Sequence, residues 1–170
     1  MDILVVVDMQ KDFISGALGT KEAQAILPRV AEKIVQAKKA GKTIVFTRDT
    51  HHENYLDTQE GKNLPVPHCI ENTDGWQIDP GLDTAGAMIF DKPSFGSEAL
   101  VRYLKSLPDL QSAEFVGLCT DICVITNVLS TKCALPELPI SVDSACCAGV
   151  TPQRRHHTQA DRQIAGSIPQ

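Results

Sequence analysis

The sequence predicts an α/β protein: a doubly wound, mainly parallel sheet of five or six strands with helices on both faces, in one domain over residues 1–170. Short runs rich in β-branched residues recur along the chain, and the segments between them carry helical hydrophobic spacing. The first run, residues 3–7 (ILVVV), is apolar at every position, as suits a strand covered on both faces of a parallel sheet. Asp8, Asp49, Lys92 and Cys123 each come at or just past the carboxyl end of a different run, where such sheets place their ligand crevice.

In chain order, the first strand stops at Asp8, and residues 9–20 read as a loop holding Phe13, with Gly16 and Gly19 as breakers. Over residues 21–40, Ile26, Val30, Ile34 and Ala37 line one helix face, and Gly41 is placed to end that helix. Residues 43–47 form the second strand, ending at Arg48-Asp49. Residues 48–82 read as one long connection holding His51, His52, Glu60, His68 and the only tryptophan, Trp76. A connection that long inside a compact domain points to function.

Residues 86–90 form the third strand, and Ser97 caps a helix carrying Leu100, Val101, Leu104 and Leu107 on one side. Residues 115–118 form the fourth strand, 119–121 a sharp connection, and Ile122, Ile125, Val128 and Leu129 recur at helical spacing. Cys123 thereby falls in the first turn of a helix, where unpaired N–H groups and the helix dipole favour a thiolate. Residues 139–142 read as a short fifth strand ending at Asp143, and Thr151-Pro152 as the start of a last helix.

Composition excludes several classes. A net charge of −5, with no basic stripe interleaved with aromatics, speaks against a nucleic-acid surface and for small neutral or weakly charged partners. The N-terminal apolar run has no basic leader and is too short for a signal peptide or a membrane span, so a cytoplasmic protein is expected. The six cysteines lack secreted-domain spacing and contain no C-x-x-C pair, which removes zinc-ribbon and thioredoxin-type motifs. Dinucleotide and P-loop glycine motifs are also absent, as is the G-x-S-x-G elbow of serine hydrolases.

Two constellations carry chemistry. Singly, Asp8 could be a turn residue, Lys92 a solvated lysine and Cys123 a small buried hydrophobe; their convergence on one sheet edge supports nucleophilic catalysis. Asp8 takes the Cys123 proton, Lys92 stabilises both charges, and the sulfur attacks a carbonyl carbon. Backbone N–H groups of Cys119 and Cys123 are placed to hold the oxyanion. The second constellation is Asp49-x-His51 with Glu60 and His68 downstream, a donor set suited to zinc, manganese or iron. His52 has no comparable geometric case, and Cys69 would fit only a closed structural site. His156 and His157 beside Arg154-Arg155 read as a solvated face, and Cys146-Cys147 as packed thiols.

Five segments in register, VVDMQKDF (6–13), the Asp49-x-His51 pair, PVPHC (65–69), FDKPSFGS (90–97) and GLCTDICV (117–124), resemble the isochorismatase-like cysteine hydrolases, and within them the nicotinamidases. The resemblance implies a catalytic triad of Asp8, Lys92 and Cys123 and a cis peptide before Cys119. It implies a divalent metal on Asp49, His51 and His68, with Glu60 as a further carboxylate ligand, and Phe13 against the substrate ring. The implied reaction is hydrolysis of nicotinamide to nicotinate and ammonia through a thioester, in a homo-oligomer. One position departs from the pattern: Pro65 stands where these enzymes commonly carry an aromatic, leaving Trp76 or Tyr55 to supply that wall. Another small amide, carbamate or ureido substrate, or a non-catalytic ligand-binding role, are the alternatives.

Overall fold

A computed structural model describes residues 1–150. Five parallel strands, β1 (Asp2–Val7), β2 (Thr43–Asp49), β3 (Met88–Lys92), β4 (Ser112–Leu118) and β5 (Ile140–Ala148), form one sheet in the order β3-β2-β1-β4-β5. The central strand has both faces covered, which accounts for its unbroken apolar run. Leu4 and Val6 pack with Ile26, Val30 and Ile34 of α2 (Lys21–Lys39) on one side. Ile3, Val5 and Val7 pack on the other with Leu100 and Leu104 of α4 (Glu98–Ser106) and Val128 of α5 (Ile125–Ala134). Burying each such side chain contributes about 1.5–3 kcal/mol. Among the described residues no helix is long and apolar enough to cross a membrane.

The helix boundaries follow the expected capping chemistry. Thr20 Oγ1 accepts the Ala23 N–H at 3.0 Å at the start of α2, and Gly41 takes the left-handed backbone just past its end (φ 73°). Ser97 Oγ accepts the Leu100 N–H at 3.1 Å at the start of α4. Helices leaving β1 and β4 go to opposite faces, so a crevice opens between these neighbours at their carboxyl ends.

Several segments differ from expectation. The third strand begins two residues late, because Gly86 turns the chain (φ 75°) and Ala87 N–H bonds back to the Thr84 carbonyl. This shift makes Lys92 the last residue of β3, level with Asp49, the last residue of β2. The fifth strand is much longer than residues 139–142. A register irregularity opposite Phe115–Gly117 carries it past the polar Asp143-Ser144 pair, so Cys146 and Cys147 are buried strand residues. A short α1 (Lys11–Ile14) interrupts the first loop, and the long connection contains a 3-10 turn at Tyr55–Asp57 followed by α3 (Gln59–Asn63). Thr151-Pro152, where a last helix is expected to start, and residues 154–157 lie outside the described residues.

Gly117 sits where β4 presses on β1. Its φ of 116° is open to glycine, and a Cβ there would collide with the Val7 carbonyl. Gly117→Ala is therefore expected to cost about 2–3 kcal/mol, read as a fall in the urea unfolding midpoint; an unchanged midpoint would contradict the close approach.

Lys33 on α2 bridges Glu114 of β4 (2.8 Å) and Asp143 of β5 (2.7 Å), and Lys42 reaches Glu114 at 3.1 Å. Burial works against ionisation of Glu114 and Asp143, yet the lysine partners hold both carboxyls below their usual range. A depressed carboxylate stabilises the fold above its unfolded value of about 4 and loses that contribution as pH falls through the folded value. Lys33→Met should cost about 1 kcal/mol or less at neutral pH and should flatten the acid limb below about pH 4 in urea titrations. An acid limb identical to that of the unsubstituted protein would show that the network is inert.

Candidate active site

Asp8, Lys92 and Cys123, far apart in sequence, meet in the crevice. Asp8 follows β1 in the left-handed region (φ 48°), a strained conformation for a non-glycine residue that turns its carboxyl inward. Thr47 Oγ1 donates to Asp8 Oδ1 at 2.6 Å, and Lys92 Nζ pairs with Asp8 Oδ2 at 2.7 Å. The same ammonium donates to Asp49 Oδ1 (3.1 Å), the Ser94 carbonyl (2.9 Å) and Cys123 Sγ (3.5 Å). Asp8 is 0%, Lys92 1% and Cys123 6% exposed, so these charges interact with little solvent screening.

Burial governs the protonation of all three. It disfavours the Lys92 ammonium, but Asp8, the Cys123 sulfur and Asp49 outweigh it and raise the lysine well above its ordinary value. Burial raises the Asp8 carboxyl despite the ammonium beside it. Burial and then the Asp8 charge push the Cys123 thiol well above its usual value, with Lys92 opposing. Burial and the Asp8 charge thus work against the thiolate bias expected at a helix start, and Lys92 works for it. The turn around Cys123 also differs: residues 120–124 form a π-type turn, with Val124 N–H donating to the Cys119 carbonyl five residues back (3.1 Å). The Leu118–Cys119 peptide ahead of it is cis.

Beside the triad stand Asp49, His51, Glu60 and His68, whose donor atoms all lie within 4.8 Å of one another. Asp49 Oδ2 is 2.9 Å from His51 Nε2 and 3.6 Å from His68 Nε2, while Glu60 Oε1 is 3.7 and 3.9 Å from the same nitrogens. His51 Nε2 is buried and makes no hydrogen bond, close as Asp49 is. His68 Nδ1 lies 2.8 Å from the Val66 carbonyl, which can only accept, so Nδ1 carries a proton and the neutral ring presents the Nε2 lone pair. Two imidazole nitrogens and two carboxylates converging on one point fit a divalent ion. Burial opposes the Asp49 charge, but His51, His68 and Lys92 hold its carboxyl well below the ordinary range; burial and the Asp49 charge raise Glu60.

A cavity of about 510 Å³ joins the two clusters. Asp49, Glu60 and His68 line one part and Cys119 and Cys123 another, with Phe13, Leu64, Phe95, Leu118 and Ile122 as apolar walls.

Residues 2–167 match the isochorismatase domain family. The chain belongs to the isochorismatase family. A nicotinamidase/pyrazinamidase of Mycobacterium tuberculosis is 26% identical across 78% of this chain and 83% of its own. A nicotinamidase of Acinetobacter baylyi is 26% identical across 85% of this chain and 80% of its own. The crystal structure of Pyrococcus horikoshii pyrazinamidase in complex with zinc superposes with a TM-score of 0.83 at 28% identity, covering 97% of this chain and 96% of that one.

Within this isochorismatase-family site, Phe13 lies on the cavity wall, its ring centroid 5.4 Å from that of His68. Trp76 does not line the cavity. Its Nε1 donates to Thr50 Oγ1 at 2.9 Å and its ring lies under the Arg48 guanidinium, 3.3 Å from the centroid, so the tryptophan expected to contact substrate packs against the end of β2 instead. Tyr55 is not a wall either: it backs the imidazoles of His51 and His68, at centroid distances of 4.7 and 5.1 Å, and its hydroxyl donates to the Leu64 carbonyl. His52 faces outward and pairs with Glu71 at 3.3 Å. Cys69 stays outside the donor cluster, its N–H bound to Asp12 Oδ2 at 2.8 Å.

Two polar residues of the site were not singled out in the sequence. Gln10, wholly buried, grips the peptide of Asp49: Oε1 accepts the Asp49 N–H at 2.7 Å, while Nε2 donates to the Asp49 carbonyl at 2.8 Å and to the Trp76 carbonyl at 2.9 Å. The available signal was an amide three residues past the end of a buried strand. Asp12 accepts the N–H groups of Cys69 and Ala17 and tethers the PVPHC segment to α1.

Proposed function

We propose that this protein is a metal-containing cysteine amidohydrolase that converts nicotinamide to nicotinate and ammonia. The observation that carries this is the contact of one buried ammonium with the carboxyl of Asp8 and the sulfur of Cys123, at the wall of a cavity whose other end gathers four metal-competent side chains. The nicotinamidase and pyrazinamidase relatives support the substrate class. So does charge: among the described residues the ionisable lining consists of Asp49, Glu60, His68 and two cysteines, a set that suits a neutral amide over a carboxylate-bearing substrate.

In this mechanism Asp8, made more basic by burial, takes the Cys123 proton as the sulfur attacks the carboxamide carbon. Lys92 stabilises the thiolate as it forms, and backbone N–H groups of Cys119 and Cys123 hold the oxyanion. Asp8 returns the proton to the departing nitrogen, ammonia leaves, and a thioester remains on Cys123. Asp8 then takes a proton from water, which attacks the thioester carbon; nicotinate departs and the thiol is restored. Asp49, His51, Glu60 and His68 would hold a divalent ion, zinc by preference given this donor set and the zinc-bound pyrazinamidase relative. Bound there, such an ion would supply Lewis acidity to a pyridine-type ring nitrogen. Phe13 would face the ring.

Pro65 is outside the cavity lining and no aromatic replaces it from Trp76 or Tyr55, which favours keeping a second reading: the same triad acting on another small amide, carbamate or ureido compound. Ammonia release measured over a panel of such compounds separates the two, with nicotinamide expected to have the highest kcat/KM. All six cysteines are free thiols, in keeping with a reducing cytoplasm, and a homo-oligomer is expected from the family resemblance.

A further inference from the structure

Asn127 lies on α5 four residues after Cys123 and has no solvent-exposed surface. Its Nδ2 donates to the carbonyls of Cys123 (2.8 Å) and Phe95 (3.1 Å), and its Oδ1 accepts the Ser97 N–H (3.0 Å). One carboxamide thus ties the turn carrying Cys123 to the segment that follows Lys92. That segment is also anchored near its start, where the Ser94 carbonyl accepts from Lys92 Nζ, and it places Phe95 on the cavity wall. Beside Asn127, Val124 at the end of the π-type turn and Val128 of α5 are buried in the apolar core. A fully bonded amide in that setting links backbone groups of two separate segments.

We infer that Asn127 is a positioning residue, holding the Cys123 sulfur and the Lys92 ammonium in register and setting Phe95 against the cavity. This rests on the assignment of Cys123 as the nucleophile. Lys92 ends β3 and Cys123 follows β4, strands that are not neighbours in the sheet, so their 3.5 Å contact depends on ties across the crevice. Loss of the Asn127 bonds frees the 93–97 segment to move relative to the turn.

The test compares the unsubstituted enzyme, Asn127→Ala, Asn127→Ser and Val128→Ala. The measurements are kcat and KM for nicotinamide, the rate of Cys123 alkylation by iodoacetamide followed by mass spectrometry, and Tm. Asn127→Ala should lower kcat by about 30-fold with a smaller change in KM, since displacements near 1 Å suffice for such losses. Its alkylation rate should change by about threefold or more, and serine, which regains part of the hydrogen bonding, should recover part of both. Val128→Ala, a core truncation on the same helix, should lose comparable Tm yet keep kcat within about twofold when assayed well below Tm. The inference is overturned if folded Asn127 variants keep the kcat and alkylation rate of the unsubstituted enzyme, or if Val128→Ala loses as much kcat at equal Tm loss. Should Asn127→Ala fail to fold, the serine variant decides by the same criteria. If the unsubstituted protein does not hydrolyse nicotinamide, the functional proposal fails by itself, and the alkylation rates alone decide the role of Asn127.

Discussion

Cys123→Ala should abolish ammonia release from nicotinamide, lowering kcat by about 10⁴-fold or more, as loss of a nucleophile does elsewhere. The variant should remain folded. The truncation removes a sulfur beside a charge cluster that stays balanced, because Lys92 keeps its contacts with Asp8, Asp49 and the Ser94 carbonyl. The thiol sits at the cavity wall, so the small void opens into existing space. Asp8→Asn should show a similar loss, since burial works against the Cys123 thiolate and the variant lacks the carboxylate that takes the thiol proton. Ammonia release by Cys123→Ala at the rate of the unsubstituted protein, with the substitution verified by mass spectrometry, would end the nucleophile assignment.

The second large effect concerns the metal-competent cluster, and it separates two jobs of one carboxylate. His51→Ala removes a nitrogen donor without touching the triad, so it should lower bound metal and reduce kcat/KM by about 10–100-fold, with partial recovery in excess metal. Asp49→Asn should be worse and not recover. Its Oδ2 faces the two imidazoles while its Oδ1 accepts from Lys92, so neutralising it weakens the ion site and removes one of the two carboxylates that balance the buried ammonium. Elemental analysis of purified protein with and without added zinc, alongside kcat/KM, reads both. Stoichiometric metal and undiminished turnover in both variants would remove Asp49 and His51 from the site.

The legible part of the site came from local pattern. A chain that alternates buried strands with amphipathic helices sends the strands' carboxyl ends to one edge, so Asp8, Asp49, Lys92 and Cys123 could be placed there from spacing alone. Trp76 illustrates the limit of that approach. As the only tryptophan in a functional loop it drew a binding role, but whether an indole faces a ligand or a neighbouring strand depends on the path of the loop, and here Thr50 and Arg48 claim it. The fifth strand was underestimated for a related reason: Asp143-Ser144 interrupts its apolar run, and a register irregularity absorbs the interruption in a way that no one-dimensional pattern encodes.

The sequence by itself determined the α/β class, the family, and the residue types gathered at the crevice, because hydrophobic period and strand-end position are properties of neighbouring residues. Only the tertiary structure decided how those groups act on one another. The grip of Gln10 on Asp49, the three bonds of Asn127, the backing of two histidines by Tyr55 and the contact of Lys92 with both Asp8 and Cys123 all join positions distant along the chain. Hydrogen bonds and buried charges respond to displacements of tenths of an ångström, and those distances exist only once the two faces of the sheet have packed.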